Sequence, residues 1–137
     1  LYIFLFTILI CVSTDIGGYV FGNIFKGPKI IKSISPNKTY AGSIGGYLLS
    51  IILVYFFIKN SYLIENGLPN YFGKAEFVWV LLISSVSQAG DFIISYFKRK
   101  SKKKNTGSII PGHGGLLDRV DGMIFALPFM YIFFNLF

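Results

Sequence analysis

Four stretches of the chain are almost continuously apolar: Leu1 to about Phe25, Tyr40 to Ile58, Ala75 to Phe97 and Gly122 to Phe137. A bilayer core needs about 20 predominantly apolar residues per helix, so each stretch is predicted to be a membrane-spanning helix. The first carries Asp15 and several glycines, and the last is short, with Pro128 inside it. No internal repeat and no Ser-rich or Pro-rich linker divides the chain, which reads as one all-α integral membrane domain over residues 1–137. It opens at Leu1 inside an apolar run that lacks a basic leader and a small-residue cleavage site. That start is expected of the C-terminal part of a longer protein with further spans before it, rather than of a signal peptide.

Composition agrees. Of 137 residues, 53% are hydrophobic and 18% aromatic, but only 14% are charged, against roughly 25% in a soluble domain. The net charge of +7 comes from 13 Lys and Arg against 6 Asp and Glu, and the bases are not spread evenly. Lys26, Lys29, Lys32 and Lys38 sit between the first two spans, and Lys98, Arg99, Lys100, Lys102, Lys103 and Lys104 follow the third. The connection from Lys59 to Lys74 has only lysines at its edges, together with Glu65. The positive-inside bias therefore places the two basic loops in the cytoplasm, with the chain starting outside. For Lys100 to Lys104, a topology signal or anionic-lipid contact stands beside a substrate contact. These loops lack the aromatic interleaving that single-stranded nucleic acid requires, so no nucleic-acid partner is expected. Cys11, the one cysteine, rules out a disulfide within the chain and reads as lipid-facing or packed filler.

The acids are sorted. Asp15 and Asp91 lie roughly 9 to 15 Å inside the predicted cytoplasmic ends of spans one and three at 1.5 Å per residue. Asp118 and Asp121 stand at the mouth of span four, whereas Glu65 and Glu76 fall near the opposite face. A carboxylate at membrane depth costs on the order of 2.5 to 3.5 kcal/mol on insertion scales, and persists because it meets a cavity, a cation or a partner. Pairing with a buried Lys or Arg, or an exposed helix end, is the plainer explanation for either one. Asp91 has more support for a site: Gln88 and Gly90 precede it, and Ser95 and Lys98 follow at helical steps of four and seven. With Ser84, Ser85 and Ser87 they form a hydrophilic stripe that should line a pocket.

Asp118 and Asp121 are three residues apart, so on a helix both carboxylates project from one side, a spacing that suits a hard divalent cation completed by substrate phosphates. Acids at a helix N-terminus are also favoured by its dipole alone. Before them comes Pro111-Gly112-His113-Gly114-Gly115, a turn whose glycines let backbone amides approach an anion at a helix start. His113 there is read as a polar contact to a phosphate or a carboxylate. In Ser35-Pro36-Asn37-Lys38-Thr39-Tyr40-Ala41-Gly42, Ser35 and Pro36 fit a helix start. Lys38 and Thr39 offer a cation and a hydroxyl to a phosphate, or equally a capped helix with an interfacial lysine. Gly42, Gly45 and Gly46 have the small-residue spacing that brings membrane helices close.

The run Ser95-Tyr96-Phe97-Lys98-Arg99, then Lys104-Asn105, then Pro111-Gly112-His113-Gly114-Gly115-Leu116-Leu117-Asp118-Arg119-Val120-Asp121 resembles the signature of the phosphatidate cytidylyltransferases. The Ser35 to Thr39 block, Gln88 to Asp91, and Asp15-Ile16-Gly17-Gly18-Tyr19 with Gly22 resemble the family's other recurring elements, so the similarity covers essentially the whole chain. It departs at Asn105, where the family usually has an aspartate, and at Ala41, where many members have a glutamate. Asn105 keeps a carbonyl oxygen but brings no charge.

The resemblance implies a membrane catalytic domain that transfers CMP from CTP to phosphatidate, with Mg²⁺ as cofactor and room for a second cation. It implies Asp91, Asp118, Asp121, Lys98 and His113 as catalytic residues, the three aspartates also holding metal. Ser35, Lys38, Thr39, Ser95, Arg99, Lys104, Gly114, Gly115 and Arg119 would bind substrate, and Asp15 would join the metal site or pair with a lysine. The expected partners are CTP, phosphatidate and membrane lipid, and a homodimer is compatible. The expected location is a bacterial inner membrane with the active site facing the cytoplasm. Two other readings stand beside this one: a transporter or channel, whose acids would line a route across the bilayer, and a cytidylyltransferase for another lipid phosphate.

Overall fold

A computed structural model describes residues 2–60, 72–101 and 117–136, with side chains described for 3–57, 77–101 and 120–133. The described residues form four helices: α1 (Tyr2–Phe25), α2 (Tyr40–Asn60), α3 (Phe72–Lys100) and α4 (Leu117–Leu136). The first three contain stretches long and apolar enough to cross a membrane, and α4 contains the shorter apolar stretch Val120–Phe133. The protein is an all-α integral membrane protein. Of the four predicted spans, three therefore reach full length within the described residues. Two boundaries move. α3 continues to Lys100, because Lys98, Arg99 and Lys100 in its last turn complement the negative end of the helix dipole. α4 begins at Leu117 rather than Gly122, which puts Asp118 and Asp121 on the helix.

Large apolar side chains such as Phe4, Ile52, Phe56 and Val78 face outward, a pattern that suits lipid and would be a liability in water. Phe6, Ile10, Val54, Val80, Ile83, Ala126 and Met130 pack inward. Cys11 is fully buried among them, so it is packing and not a lipid-facing residue. Hydroxyls in this region fold back onto carbonyls of their own helix: Thr7 on Ile3, Ser13 on Leu9 and Ser50 on Tyr47. Backbone acceptors absorb them where water does not reach.

α1 and α2 approach backbone to backbone. A Cβ on Gly17 would stand 2.6 Å from the Gly45 carbonyl oxygen, one on Gly42 2.6 Å from that of Gly18, and one on Gly46 2.8 Å from that of Thr14. The contact expected from Gly42, Gly45 and Gly46 thus forms, with Gly17 and Gly18 as its other half.

The polar stripe on α3 is divided: Gln88 and Asp91 open onto a cavity, whereas Ser84 and Ser85 are spent between helices. Thr14 Oγ1 donates to Ser84 Oγ at 2.9 Å, Tyr47 Oη and Ser85 Oγ share a hydrogen bond at 3.0 Å, and Gln88 Nε2 donates to the Ser43 carbonyl at 3.4 Å. In hydrocarbon a hydroxyl gains more from a neighbouring helix than from an empty face.

The connection from α1 to α2 is clasped on itself. Lys26 takes a left-handed φ of 42° as α1 ends, its amide bonding back to the Gly22 carbonyl at 3.2 Å. Lys29 and Thr39 then form an antiparallel bridge, supported by Ile30 N to Lys38 O and Tyr40 N to Pro28 O, each 3.1 Å. The predicted helix start at Ser35 and Pro36 is not the start of α2. Both Ile34 N and Ser35 N donate to the Ile31 carbonyl in a tight turn, and Thr39 caps the helix, its Oγ1 accepting Gly42 N–H at 3.1 Å. The bridge consumes the backbone that an earlier helix start would have needed.

Candidate active site

One end of the bundle opens into a cavity of about 530 Å³, within the size range of small-molecule sites. It forms where the C-terminal half of α1, the clasped loop, the start of α2, the C-terminal half of α3 and the first turns of α4 meet. α1 contributes Thr14 and Asp15 and, one turn on, Gly18 and Tyr19, each four residues after its counterpart and so on the same side of the helix. The loop and α2 bring Asn37, Lys38, Thr39, Gly42 and Ser43, α3 brings Gln88 and Asp91, and α4 brings Asp121.

Lys38 Nζ donates to Asp91 Oδ2 at 2.9 Å, with the two side chains 30% and 13% exposed. The same ammonium stands 4.5 Å from the centroid of the Phe92 ring, a cation–π arrangement. Asp91 Oδ1, by contrast, is buried with no hydrogen-bond partner among the described residues. Asp121 is close enough to Asp91 for the carboxylates to act on each other, and Asp15 feels both. Three carboxylates thus share one cavity in which Lys38 is the only cation among the described lining residues. Such a cluster is costly at membrane depth unless further positive charge joins it.

What lets Asp121 reach Asp91 is Gly122. A Cβ there would come within 2.7 Å of Asp91 Oδ1 and 3.0 Å of the Ser87 carbonyl oxygen, so α4 can cross α3 at Asp91 only with glycine at this position. Asp121 Oδ1 also accepts the Gly122 N–H at 3.0 Å.

The cavity brings together Asp91, Asp121, Lys38 and Thr39 of the sequence-predicted residues, and it includes Asp15, whose place the sequence left open. Ser35, Ser95, Lys98 and Arg99 do not line it. Lys98 lies within electrostatic reach of Asp121, Ser95 is half-buried on α3, and Arg99 Nε donates to the Ile34 carbonyl at 3.2 Å. Asp118 and Arg119 fall in the first turn of α4 with side chains outside the described ones, and Lys104, Asn105, His113, Gly114 and Gly115 lie outside the described residues. Asn37, Ser43, Gly18 and Tyr19 were not singled out from the sequence as site residues. The helical spacing of Asp15 with Gly18 and Tyr19 was the signal available for two of them.

Among the described residues no three His, Cys, Asp or Glu side chains enclose a metal unaided. Asp91 and Asp121 nonetheless fit a hard divalent ion. They are oxygen ligands, Asp91 has an unsatisfied buried oxygen, and Mg²⁺ is commonly held by one or two carboxylates with substrate phosphates and water completing the shell.

Comparison with known proteins bears on this geometry directly. Residues 1–137 match the cytidylyltransferase family. The chain is 39% identical over 131 residues to the phosphatidate cytidylyltransferase of Brucella suis biovar 1, covering 96% of this chain and 45% of that protein. It is 36% identical over 137 residues to that of Staphylococcus haemolyticus and 38% identical to that of Staphylococcus aureus strain COL, in each case covering 96% of this chain and 48% of the relative. The chain spans about half the length of the curated relatives it matches. With the family matched from end to end, the chain belongs to the cytidylyltransferase family.

Proposed function

We propose that the protein containing this chain transfers CMP from CTP to phosphatidate, giving CDP-diacylglycerol and pyrophosphate. The observation that carries this reading is the convergence of Asp15, Asp91 and Asp121 with Lys38 in a cavity at one end of an apolar bundle. Its support is the relatives, which are phosphatidate cytidylyltransferases.

In this reaction an oxygen of the phosphatidate phosphate attacks the α-phosphorus of CTP. The new P–O bond forms as the bond to the β-phosphate breaks, and the electron pair leaves with pyrophosphate. Two phosphorylated substrates must therefore be held together, and catalysis is chiefly positioning and charge neutralisation. Lys38 presents an ammonium already fixed at the cavity, and Lys98 adds charge beside Asp121. Asp91 and Asp121, with Asp118, would hold Mg²⁺, which supplies neutralisation of the polyphosphate and a template for its orientation. The His113, Gly114 and Gly115 turn, with Lys104 and Arg119, is assigned to the same phosphates. Phosphatidate approaches sideways from the bilayer, and CTP comes from the side where the basic loops lie, read as the cytoplasm.

The transporter reading is disfavoured by the core behind the cavity. There Ile10, Val80, Ile83, Ala126 and Met130 pack together, and Thr7, Ser13 and Ser50 turn their hydroxyls onto backbone carbonyls.

The test measures pyrophosphate release from CTP by the full-length parent protein in membranes, with phosphatidate and Mg²⁺, against its Asp121→Asn variant. Turnover that is lost in a folded variant is expected. An inactive parent with an intact fold would instead direct attention to other lipid phosphates.

A further inference from the structure

Arg99 is expected from the sequence at a phosphate, yet its described contact is with the clasped loop. Its Nε donates to the Ile34 carbonyl at 3.2 Å. Ile34 belongs to the tight turn in which Ile34 N and Ser35 N both donate to Ile31 O, at 3.3 and 3.0 Å. Four residues later the loop reaches Lys38, whose own carbonyl is held by Ile30 N and whose ammonium meets Asp91. Asp91 and Arg99 stand on the same helix, about 12 Å apart along its axis at 1.5 Å per residue. One rigid element, α3, therefore grips the loop at two points.

We propose that Arg99 is a positioning residue for Lys38: by docking the 31–35 turn onto the end of α3, it fixes the backbone from which the Lys38 ammonium enters the cavity. The physical reason lies in the lysine itself. Its four-carbon stem carries ample rotamer freedom, so an ammonium aimed at one spot needs an immobile root. A loop held only through the Lys38–Asp91 pair would swing about that pair once a phosphate competes for the ammonium. The second anchor at Ile34 keeps Lys38 in place while it exchanges acceptors. A guanidinium suits this task because its planar fork is pre-organised and stays charged.

The kinetic part of the test rests on the proposed cytidylyl transfer, and a second part does not. In the full-length protein, Arg99→Gln lowers kcat/KM for CTP roughly 10-fold, the scale of one lost charged hydrogen bond. The Lys38→Gln, Arg99→Gln double variant falls no further than Lys38→Gln alone, since Arg99 acts through Lys38. Multiplying effects would overturn the proposal and return Arg99 to direct phosphate contact. Independently of activity, limited trypsin digestion of the membrane-embedded protein cuts after Lys26, Lys29 or Lys32 about five-fold faster in Arg99→Gln. Lys100→Gln, which removes a neighbouring charge from the same helix end, leaves that rate unchanged. Equal cutting of the parent and Arg99→Gln sinks the positioning role even if the protein turns over CTP. Faster cutting without any turnover sustains it and rejects only the functional reading.

Discussion

Lys38 and Asp91, 53 positions apart in the chain, meet through a 2.9 Å ion pair that joins the loop before α2 to the C-terminal half of α3. The pair uses one oxygen of Asp91 and leaves the other buried and unpartnered among the described residues. The same carboxylate thereby holds the loop cation and retains an acceptor facing Gly122 and α4.

Breaking this pair from its two ends has unequal consequences. Lys38→Gln leaves a carboxylate whose side chain is 13% exposed, whereas Asp91→Asn leaves an ammonium at 30% exposure that can turn toward water. Lys38→Gln is expected to cost about 1–3 kcal/mol of stability, less than for a fully buried pair because of that partial exposure. Asp91→Asn is expected to cost less. Unfolding in detergent micelles checks the order, and an Asp91→Asn variant as unstable as Lys38→Gln would contradict it.

Gly122→Ala should push α4 away from α3, because its Cβ meets both Ser87 and Asp91. Overpacking of this kind costs about 1–3 kcal/mol, and here it also separates Asp121 from Asp91. A lowered unfolding midpoint together with lost turnover is expected. A second change, Ser87→Gly, should recover part of the stability by removing the Ser87 hydroxyl, which this Cβ also meets, while the Ser87 carbonyl oxygen and Asp91 remain in its way.

Adjacent glycines in α1 should respond oppositely to alanine. A Cβ on Gly17 stands 2.6 Å from the Gly45 carbonyl oxygen, while one on Gly18 finds its nearest neighbour, the Gly42 carbonyl oxygen, at 3.7 Å. Gly17→Ala is expected to destabilise by about 1–3 kcal/mol. Gly18→Ala should be neutral or gain up to about 1 kcal/mol from helix propensity. Paired thermal unfolding curves decide, and equal behaviour would mean that α1 and α2 do not meet at Gly17.

Thr14→Val removes the hydrogen bond to Ser84 without changing side-chain shape much. Interhelical hydroxyl bonds in membranes average about 0.6 kcal/mol, so a small loss is expected. A cost several times larger would show that Thr14 supports the cavity in another way.

Mg²⁺ together with CTP should raise the thermal midpoint of the full-length protein, and the rise should vanish in Asp121→Asn. Asparagine keeps an oxygen able to accept the Gly122 N–H, so the metal-free midpoint should change little. A persisting Mg²⁺ effect in the variant would remove Asp121 from the metal site.

Much of the fold was legible in the chain. Spans one and two appear where hydropathy puts them, and Asp15, Asp91 and Asp121, which the sequence placed in one half of the bundle, line one cavity. The polar stripe on α3 was read as a cavity wall, and Gln88 and Asp91 do line the cavity, but Ser84 and Ser85 bond to α1 and α2 instead. Hydropathy reports that a side chain is polar and not which neighbour receives it. Ser35 and Pro36 resembled a helix start because local preferences fit one, yet the Lys29–Thr39 bridge claimed that backbone and moved the cap to Thr39. For Asp91 the plain explanation holds, since it pairs with Lys38, and the same residue also lines the cavity.

By itself the sequence determined that this is an all-α membrane protein whose aspartates gather toward one end, because the cost of burying a charge and the gain of burying an apolar run are paid residue by residue. Only the tertiary structure decided that Lys38 faces Asp91, that Arg99 holds Ile34, and that Asp121 reaches the same cavity. Those contacts depend on how closely helices approach one another. That approach is set at Gly17, Gly46 and Gly122 by the absence of a single carbon, whose effect exists only once the neighbouring helix is in place.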